Sequence, residues 1–198
     1  GDAARFFHRP PRGINMSRRV ARRPLFSPRD GVCEDVRFES PFACVSPREE
    51  ARYRRTGANR HAHARAWRHN DGPRSTVIAI HGFSADLYHF NEWFFAIPWL
   101  YKAGFDVLLV TLPFHGSRQA PWSPFSGHGF FAGGISRINE AFAQAVHDFR
   151  LLLDYLSDHR GVNEVGVTGV SLGGFTSALL ASVGVWRRRL ARRAAAQA

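Results

Sequence analysis

The stretch that decides the fold is residues 167–174, which read VTGVSLGG. A short strand is predicted just before it and a helix over 172–183. Between them, Gly169 and Gly173 flank Ser171 in a Gly-x-Ser-x-Gly pattern. A sharp strand-to-helix turn of this kind strains the backbone and lifts the serine hydroxyl above the strand end. The other interpretation is an ordinary glycine-rich turn in which Ser171 caps the helix.

The elements upstream of this turn alternate between strands and helices. Apolar runs and partial alternation predict strands at 35–45, 59–69, 76–80, 105–111 and 164–168. Helical spacing of apolar residues predicts helices at 87–103, 135–156 and 172–183. The first two strands are predicted as antiparallel edge strands. The rest of the order implies right-handed crossovers, so the sequence predicts an α/β class with a mostly parallel sheet and helices on both faces.

Charge divides the chain into three parts. The sequence has 27 basic and 16 acidic residues, a net charge of +11. Residues 1–30 contain eight Arg against two Asp, and 187–198 contain five Arg and no acid. We therefore predict an Arg/Pro-rich disordered tail over 1–30, a partial α/β domain over 31–184 and an Arg/Ala-rich tail over 185–198. The excess of positive charge lies at the two ends of the chain and not on a folded face, so no specific nucleic-acid partner is expected. Binding of nucleic acid or anionic lipid by the Arg-rich ends is a further hypothesis.

The composition also bears on membranes, metals and location. No apolar run reaches the 18 to 20 residues or so that a membrane-spanning helix needs, so no transmembrane segment is predicted. Cys33 and Cys44 have neither metal-type nor redox-type spacing, which favours a reduced, cytoplasmic chain. His61 and His63 lie on one face of a predicted strand, but two further ligands are not evident. We expect neither a metal nor a cofactor.

A second motif supports the chemical interpretation of the serine turn. His81, Gly82 and Phe83 follow the strand at 76–80. Acyl transfer to a serine builds negative charge on the carbonyl oxygen, and two backbone N–H groups commonly bind that oxygen. The N–H of Leu172 is the first candidate donor and that of Phe83 the second, while His81 is interpreted as a residue that shapes the loop.

Together these motifs resemble the α/β-hydrolase superfamily, in particular its serine esterase-like and lipase-like members. The similar segments are HGF (81–83) after the third strand of that fold, LPFHGS (112–117) after the fourth and GVSLG (169–173) after the fifth. The resemblance covers about residues 35–183. It implies that Ser171 is the nucleophile in the hydrolysis of an ester or related acyl bond of a small-molecule substrate.

The loop over 112–134 is rich in aromatic residues and allows two interpretations. Either its rings line an apolar acyl pocket beside Ser171, or they cover the sheet. The rings concerned are Phe114, Trp122, Phe125, Phe130 and Phe131. The loop histidines, His115 and His128, are interpreted either as substrate contacts or as solvated or capping side chains.

One part of the family pattern is missing. The superfamily places its catalytic acid and histidine after the nucleophile, yet no Asp, Glu or His follows Ser171 in this sequence. From Gly184 onward the composition changes to Arg and Ala. We therefore expect a truncated, catalytically impaired hydrolase, or alternatively an inert remnant or interaction protein. Loss of later strands would leave the strand before Ser171 as an open edge, through which self-association is expected.

Overall fold

Six strands form one mixed sheet in the order β1-β2-β3-β5-β4-β6. The computed structural model describes residues 6–11 and 13–183. The strands are β1 Met16–Val20, β2 Gly31–Glu39, β3 His61–His69, β4 Thr76–Ile80, β5 Asp106–Thr111 and β6 Val165–Gly169. β1, β2, β3 and β5 pair antiparallel, whereas β4 pairs parallel with both β5 and β6. The predicted α/β class is confirmed.

Helices cover both faces of this sheet. They are α1 Pro47–Arg54, α2 Tyr88–Phe94, α3 Ile97–Lys102, α4 His128–Phe131, α5 Gly134–Asp158 and α6 Leu172–Ser182. The larger core, on the face of α1, α5 and α6, takes Leu108 and Val110 of β5. The smaller core, on the face of α3, takes the alternate residues Val107 and Leu109. Strand side chains alternate between faces, so apolar residues at successive positions are buried on both sides of the sheet.

The helix predicted over 87–103 is two helices, α2 and α3. Ala96, between them, has a left-handed backbone with φ 48°. Pro98 lies in the first turn of α3, where its missing N–H leaves no hydrogen bond unmade. The long helix predicted over 135–156 is observed as α5, because its apolar spacing of three and four residues buries one face against the sheet.

The segment predicted to be an N-terminal tail contains a strand. β1 pairs with β2, so the two strands predicted to be at the edge, β2 and β3, lie inside the sheet. Ala21 is buried in the smaller core and Phe26 packs against it. The local composition, dominated by Arg and Pro, does not reveal a pairing with residues 14 to 22 positions further along the chain. The predicted boundaries at 30 and 184 stay predictions, and the tail predicted over 185–198 lies outside the described residues.

The opposite edge of the sheet is β6, the strand that leads to Ser171. Within the described part of the chain, β6 pairs only with β4. Self-association through this edge therefore stays a prediction. Among residues 6–11 and 13–183, no helix has both the length and the apolar character to cross a bilayer.

Candidate active site

Three loops meet where the parallel strands β4, β5 and β6 end. Crevices beyond the carboxyl ends of such strands are the usual ligand sites of open α/β sheets. Gly82, in the loop after β4, lies against the turn after β6: a Cβ built on Gly82 would be 3.6 Å from the Ser171 Cβ and 3.5 Å from the Val170 carbonyl oxygen. The structure thus brings the HGF loop and the serine turn together, as the sequence predicted.

Ser171 has the strained backbone expected of a sharp strand-to-helix turn. Its φ is 53° and its ψ is −115°, a region that non-glycine residues rarely occupy. The residue is exposed, and α6 begins immediately after it. The capping interpretation requires the Ser171 hydroxyl to bind an amide of the first helical turn, and no such hydrogen bond is present. The capping interpretation is therefore wrong.

The two glycines beside Ser171 allow backbones to touch. A Cβ on Gly173 would overlap the Ile80 carbonyl oxygen and lie 2.7 Å from that of His81. A Cβ on Gly169 would overlap the Gly173 carbonyl oxygen. Since none of these neighbours is a flexible side chain, both positions require glycine for α6 to pack directly on the ends of β4 and β6.

The backbone amides of Phe83 and Leu172 lie in the two turns that meet at Ser171. Hydrogen bonds hold the turns around them: the Ala85 N–H donates to the Gly82 carbonyl at 3.2 Å, and the Gly173 N–H to the Val170 carbonyl at 2.8 Å. Neither the Phe83 N–H nor the Leu172 N–H has an acceptor among the described residues. Both amides belong to segments that Gly82 brings within contact of each other.

His81 holds the loop after β4 to the loop after β5. Its Nδ1 lies 2.7 Å from the Gly82 carbonyl oxygen, to which it donates, and its Nε2 accepts the Leu112 N–H at 3.0 Å. Burial lowers the pKa of His81, which favours this neutral form. With both ring nitrogens engaged, His81 shapes the loop and has no nitrogen left to act as a base.

His115 is fully buried, which excludes its interpretation as a solvated side chain. Its Nδ1 lies 2.8 Å from the Pro113 carbonyl oxygen, while its Nε2 has no partner within the described structure. The ring meets that of Phe83 edge-on at 5.7 Å between centroids. Burial, and then the neighbouring His81, lower the pKa of His115 to about 4. His128 is half-buried, and its ring lies edge-on to Phe125.

The depressed pKa of His115 predicts a loss of stability in mild acid. Below about pH 6.5 the unfolded chain binds a proton at this residue, whereas the folded chain does so only below about pH 4. The free energy of unfolding should therefore fall as the pH is lowered from about 6.5 to about 4, and His115 should account for about 3 kcal/mol of that fall. Urea unfolding across this range should show a smaller fall for His115→Gln than for the parent chain. Equal falls in both proteins would contradict the assignment to His115.

A polar tether joins the loop after β4 to the loop after β5. The Ser126 hydroxyl donates to the Asp86 carboxylate and accepts the Gly116 N–H at 2.9 Å. The Ser84 hydroxyl donates to the Ser126 carbonyl oxygen at 2.7 Å. Sequence reasoning missed this tether, because small polar residues 40 positions apart carry no periodic signal.

The loop aromatics divide between the two interpretations. Phe114 and Phe130 are fully buried in the larger core, so they cover the sheet. Phe125 and Phe131 are about half exposed, and both rings pack edge-on against Phe83, at 6.1 and 5.0 Å between centroids. Trp122 is largely exposed. An apolar surface formed by Phe83, Phe125 and Phe131 thus lies beside the HGF loop.

No group that would activate Ser171 is in contact with it. Across the described residues, the Ser171 hydroxyl has no hydrogen bond to a histidine or a carboxylate. In the same residues, no group of three or more His, Cys, Asp or Glu side chains is arranged to hold a metal ion.

Comparison with known proteins identifies the fold family of the chain. A family model described as alpha/beta hydrolase fold matches residues 75–189. Two curated relatives, both uncharacterized proteins from strains of Mycobacterium tuberculosis, are 28% identical over 137 residues. The match covers 64% of this chain and 30% of each relative, so the chain spans less than a third of the length of these relatives.

Solved structures are similar in fold. Acetyl xylan esterase 1 from Thermoanaerobacterium sp. JW/SL YS485 has a TM-score of 0.58 and 19% identity, over 86% of this chain and 49% of that protein. Acetyl xylan esterase from Paenibacillus sp. R4 has a TM-score of 0.58 and 13% identity, over 87% of this chain and 51% of that protein. At these identities the likeness is one of fold, and the chain spans about half of each esterase.

Proposed function

The chain belongs to the α/β-hydrolase fold family, and from that premise we propose that it is a serine hydrolase of ester or related acyl bonds with Ser171 as its nucleophile. One observation carries the proposal: Ser171 is exposed, has a strained backbone and lies against the HGF loop at the ends of parallel strands. Strain of this kind persists where the surrounding structure holds it, which is typical of catalytic positions.

In the proposed mechanism, the Ser171 hydroxyl oxygen bonds to the acyl carbon and the carbonyl oxygen takes up negative charge. The hydroxyl proton passes to solvent water, because no base among the described residues contacts Ser171, and the ester C–O bond breaks so that the alcohol leaves with a proton from water. A second water then hydrolyses the acyl-serine, which releases the carboxylic acid and restores Ser171. The backbone N–H groups of Phe83 and Leu172 bind the charged carbonyl oxygen, and each such donor typically contributes about 3 kcal/mol to transition-state stabilisation. The free state of both amides supports this role.

The exposed rings of Phe83, Phe125 and Phe131 form an apolar surface, which would contact the acyl group of the substrate. Because Phe83 supplies both a candidate oxyanion amide and one wall of this surface, a bound acyl chain would lie next to the reacting carbon. The proposed substrate class is therefore a small ester with an apolar acyl group.

The second candidate is a catalytically inert member of the family or an interaction protein. It is favoured by the described structure, in which no base is in contact with the Ser171 hydroxyl. Without a base, the serine remains protonated, and removing one member of such a triad costs on the order of 10⁴-fold or more in rate. We therefore expect this 198-residue chain to react slowly.

A fluorophosphonate probe tests the proposal, because it reacts covalently with nucleophilic serines. Slow labelling of Ser171, located by mass spectrometry, is expected, and it should disappear in Ser171→Ala. The matched control is Ser182→Ala, an exposed serine on α6 whose loss should leave labelling unchanged. A folded chain that shows no labelling at Ser171 would support the inert alternative instead.

A further inference from the structure

Helices α2 and α3 expose an apolar surface that nothing in the described structure covers. We call it the aromatic patch, and it consists of Leu87, Phe90, Trp93, Phe94 and Trp99. These side chains are 44–73% exposed, and the Phe90 ring stacks on Phe94 at 5.8 Å. Five large side chains at this exposure present on the order of 500 Å² of apolar surface, as much as the largest patch of a typical monomer. The largest apolar patch of a monomer is often a functional one.

The patch is a rigid feature of the fold. Inward-facing residues hold the two helices: Ile97 and Tyr101 are buried in the smaller core, and the buried Asn91 side chain donates to the Leu87 carbonyl oxygen at 2.9 Å. Glu92 is buried and accepts a hydrogen bond from Arg65 at 3.2 Å. The exposed aromatic side chains therefore sit on a surface already fixed from beneath.

Positive charge borders the patch. The segment after β1 is tied to α2, because the His89 ring donates to the Arg23 carbonyl oxygen at 2.8 Å and Glu92 accepts the Leu25 N–H at 2.7 Å. Arg22 and Arg23, in this segment, are exposed, and neither forms an ion pair within the part of the chain that is described. Leu25, next to them, is also largely exposed and extends the apolar surface.

The nearby carboxylates do not neutralise these arginines. Glu92 is buried and bound by Arg65 and by backbone N–H groups. Asp35, on β2, is held by two hydrogen bonds from the same Arg65, at 2.7 and 3.2 Å. Arg19, on β1 opposite Asp35, adds a third exposed cation on this face. The surface therefore combines exposed Trp and Phe side chains with unpaired arginines.

From this combination we infer that α2, α3 and the segment after β1 form a docking surface for an anionic phospholipid bilayer. Trp and Phe rings partition into the region between headgroups and acyl chains, and Arg side chains bind anionic headgroups beside them. Charge complementarity assigns the occupant. The exposed Arg19, Arg22 and Arg23 border the aromatic patch, and an anionic lipid surface carries the opposite charge. The inference does not depend on Ser171 or on the proposed hydrolase activity.

Vesicle binding tests this inference on the whole 198-residue chain. We expect co-sedimentation with phosphatidylcholine vesicles that contain phosphatidylglycerol, together with a blue shift of tryptophan fluorescence, and much weaker binding to phosphatidylcholine alone. Trp93→Ser with Trp99→Ser should weaken partitioning at least tenfold. Arg22→Gln with Arg23→Gln should weaken it about 25-fold, and added salt should weaken it further.

The control substitutions for the vesicle experiment lie elsewhere on the surface. Trp122→Ser removes an exposed tryptophan from another loop, and Arg52→Gln with Arg55→Gln removes two exposed arginines at the end of α1, over the opposite face of the sheet. These controls should bind vesicles as the parent does.

Three vesicle results would overturn the inference. They are no binding to the anionic vesicles, binding that the Trp93 and Trp99 substitutions leave unchanged, or equal binding to both kinds of vesicle. A dimer or larger assembly that dissociates in the same tryptophan variant, seen by analytical ultracentrifugation without lipid, would assign the patch to a second copy of the chain and would also overturn it.

Discussion

Gly173→Ala is expected to lower the free energy of unfolding by about 3 kcal/mol or more and to prevent labelling of Ser171 by a fluorophosphonate. The added methyl group would overlap the Ile80 carbonyl oxygen and lie 2.7 Å from that of His81. Both atoms belong to the backbone at the end of β4, so relief requires α6 to move away from the sheet. That movement would separate the Ser171 turn from the HGF loop, which is why activity and stability should be lost together.

Gly166→Ala is the matched control for this prediction. Gly166 lies on β6, three residues before Gly169, and a Cβ built there has no atom within 4 Å. Its backbone φ is not positive, so we expect a change in unfolding free energy within about 1 kcal/mol, towards greater stability if anything. Urea unfolding followed by circular dichroism measures both variants. If Gly173→Ala proved as stable as Gly166→Ala, the close approach of α6 to β4 would be refuted.

Asp148→Asn is expected to destabilise the fold by about 3–5 kcal/mol, because it leaves the charge of Arg118 buried without a counter-charge. Both side chains are buried, and the Arg118 guanidinium donates to Asp148 at 2.8 Å. Arg118 also donates to the carbonyl oxygens of Thr111, at 3.2 Å, and Asn59, at 3.1 Å. The pair therefore joins α5 to the end of β5 and to the loop that carries His115, and its loss should also loosen the candidate site.

The stabilisation that the Asp148 carboxylate contributes should be present at neutral pH and lost in acid. Burial alone would raise the pKa of this carboxyl, but Arg118, with His147 and the Ser40 hydroxyl, holds it below its usual value. A depressed pKa means that the stabilisation is present above the unfolded value, near pH 3.9, and is lost as the pH falls through the folded value. The difference between Asp148→Asn and the parent should accordingly be full at pH 7 and shrink in strong acid.

Asp158→Asn provides the comparison on the same helix. Asp158 is exposed at the end of α5 and has no ion pair within the described chain, so its substitution should change the unfolding free energy by less than about 0.5 kcal/mol. Denaturant titrations at pH 7 distinguish the two positions. A small, pH-independent effect at Asp148 would show that the buried pair does not stabilise the fold.

Sequence patterns predicted those parts of the molecule that depend on neighbouring residues. The apolar runs of β4 and β5, the three-and-four spacing of α5 and the glycines around Ser171 all appear within short windows, and the structure contains these elements near the predicted positions. The contact between Gly82 and the Ser171 turn was also predictable, because the carboxyl ends of parallel strands meet at one edge of a sheet.

Other contacts between distant segments could not be predicted from sequence patterns. β1 was missed because its Arg-rich sequence has no apolar alternation, and its partner β2 supplies the hydrogen bonds that make it a strand. The sequence alone could not tell which loop aromatics are buried and which are exposed. Phe114 and Phe131 have the same side chain and differ only in where the backbone places it.

The sequence by itself determined the α/β class, the glycine-flanked turn at Ser171 and the neighbouring HGF loop, because these follow from local periodicity and from backbone conformations that only certain residues allow. Only the tertiary structure decided that His115 is buried with a depressed pKa, that Arg118 pairs with Asp148, and that the rings of α2 and α3 remain exposed beside Arg22 and Arg23. The physical reason is that burial, charge pairing and exposure are properties of what surrounds a side chain, and the chain supplies those surroundings from positions far apart in the sequence.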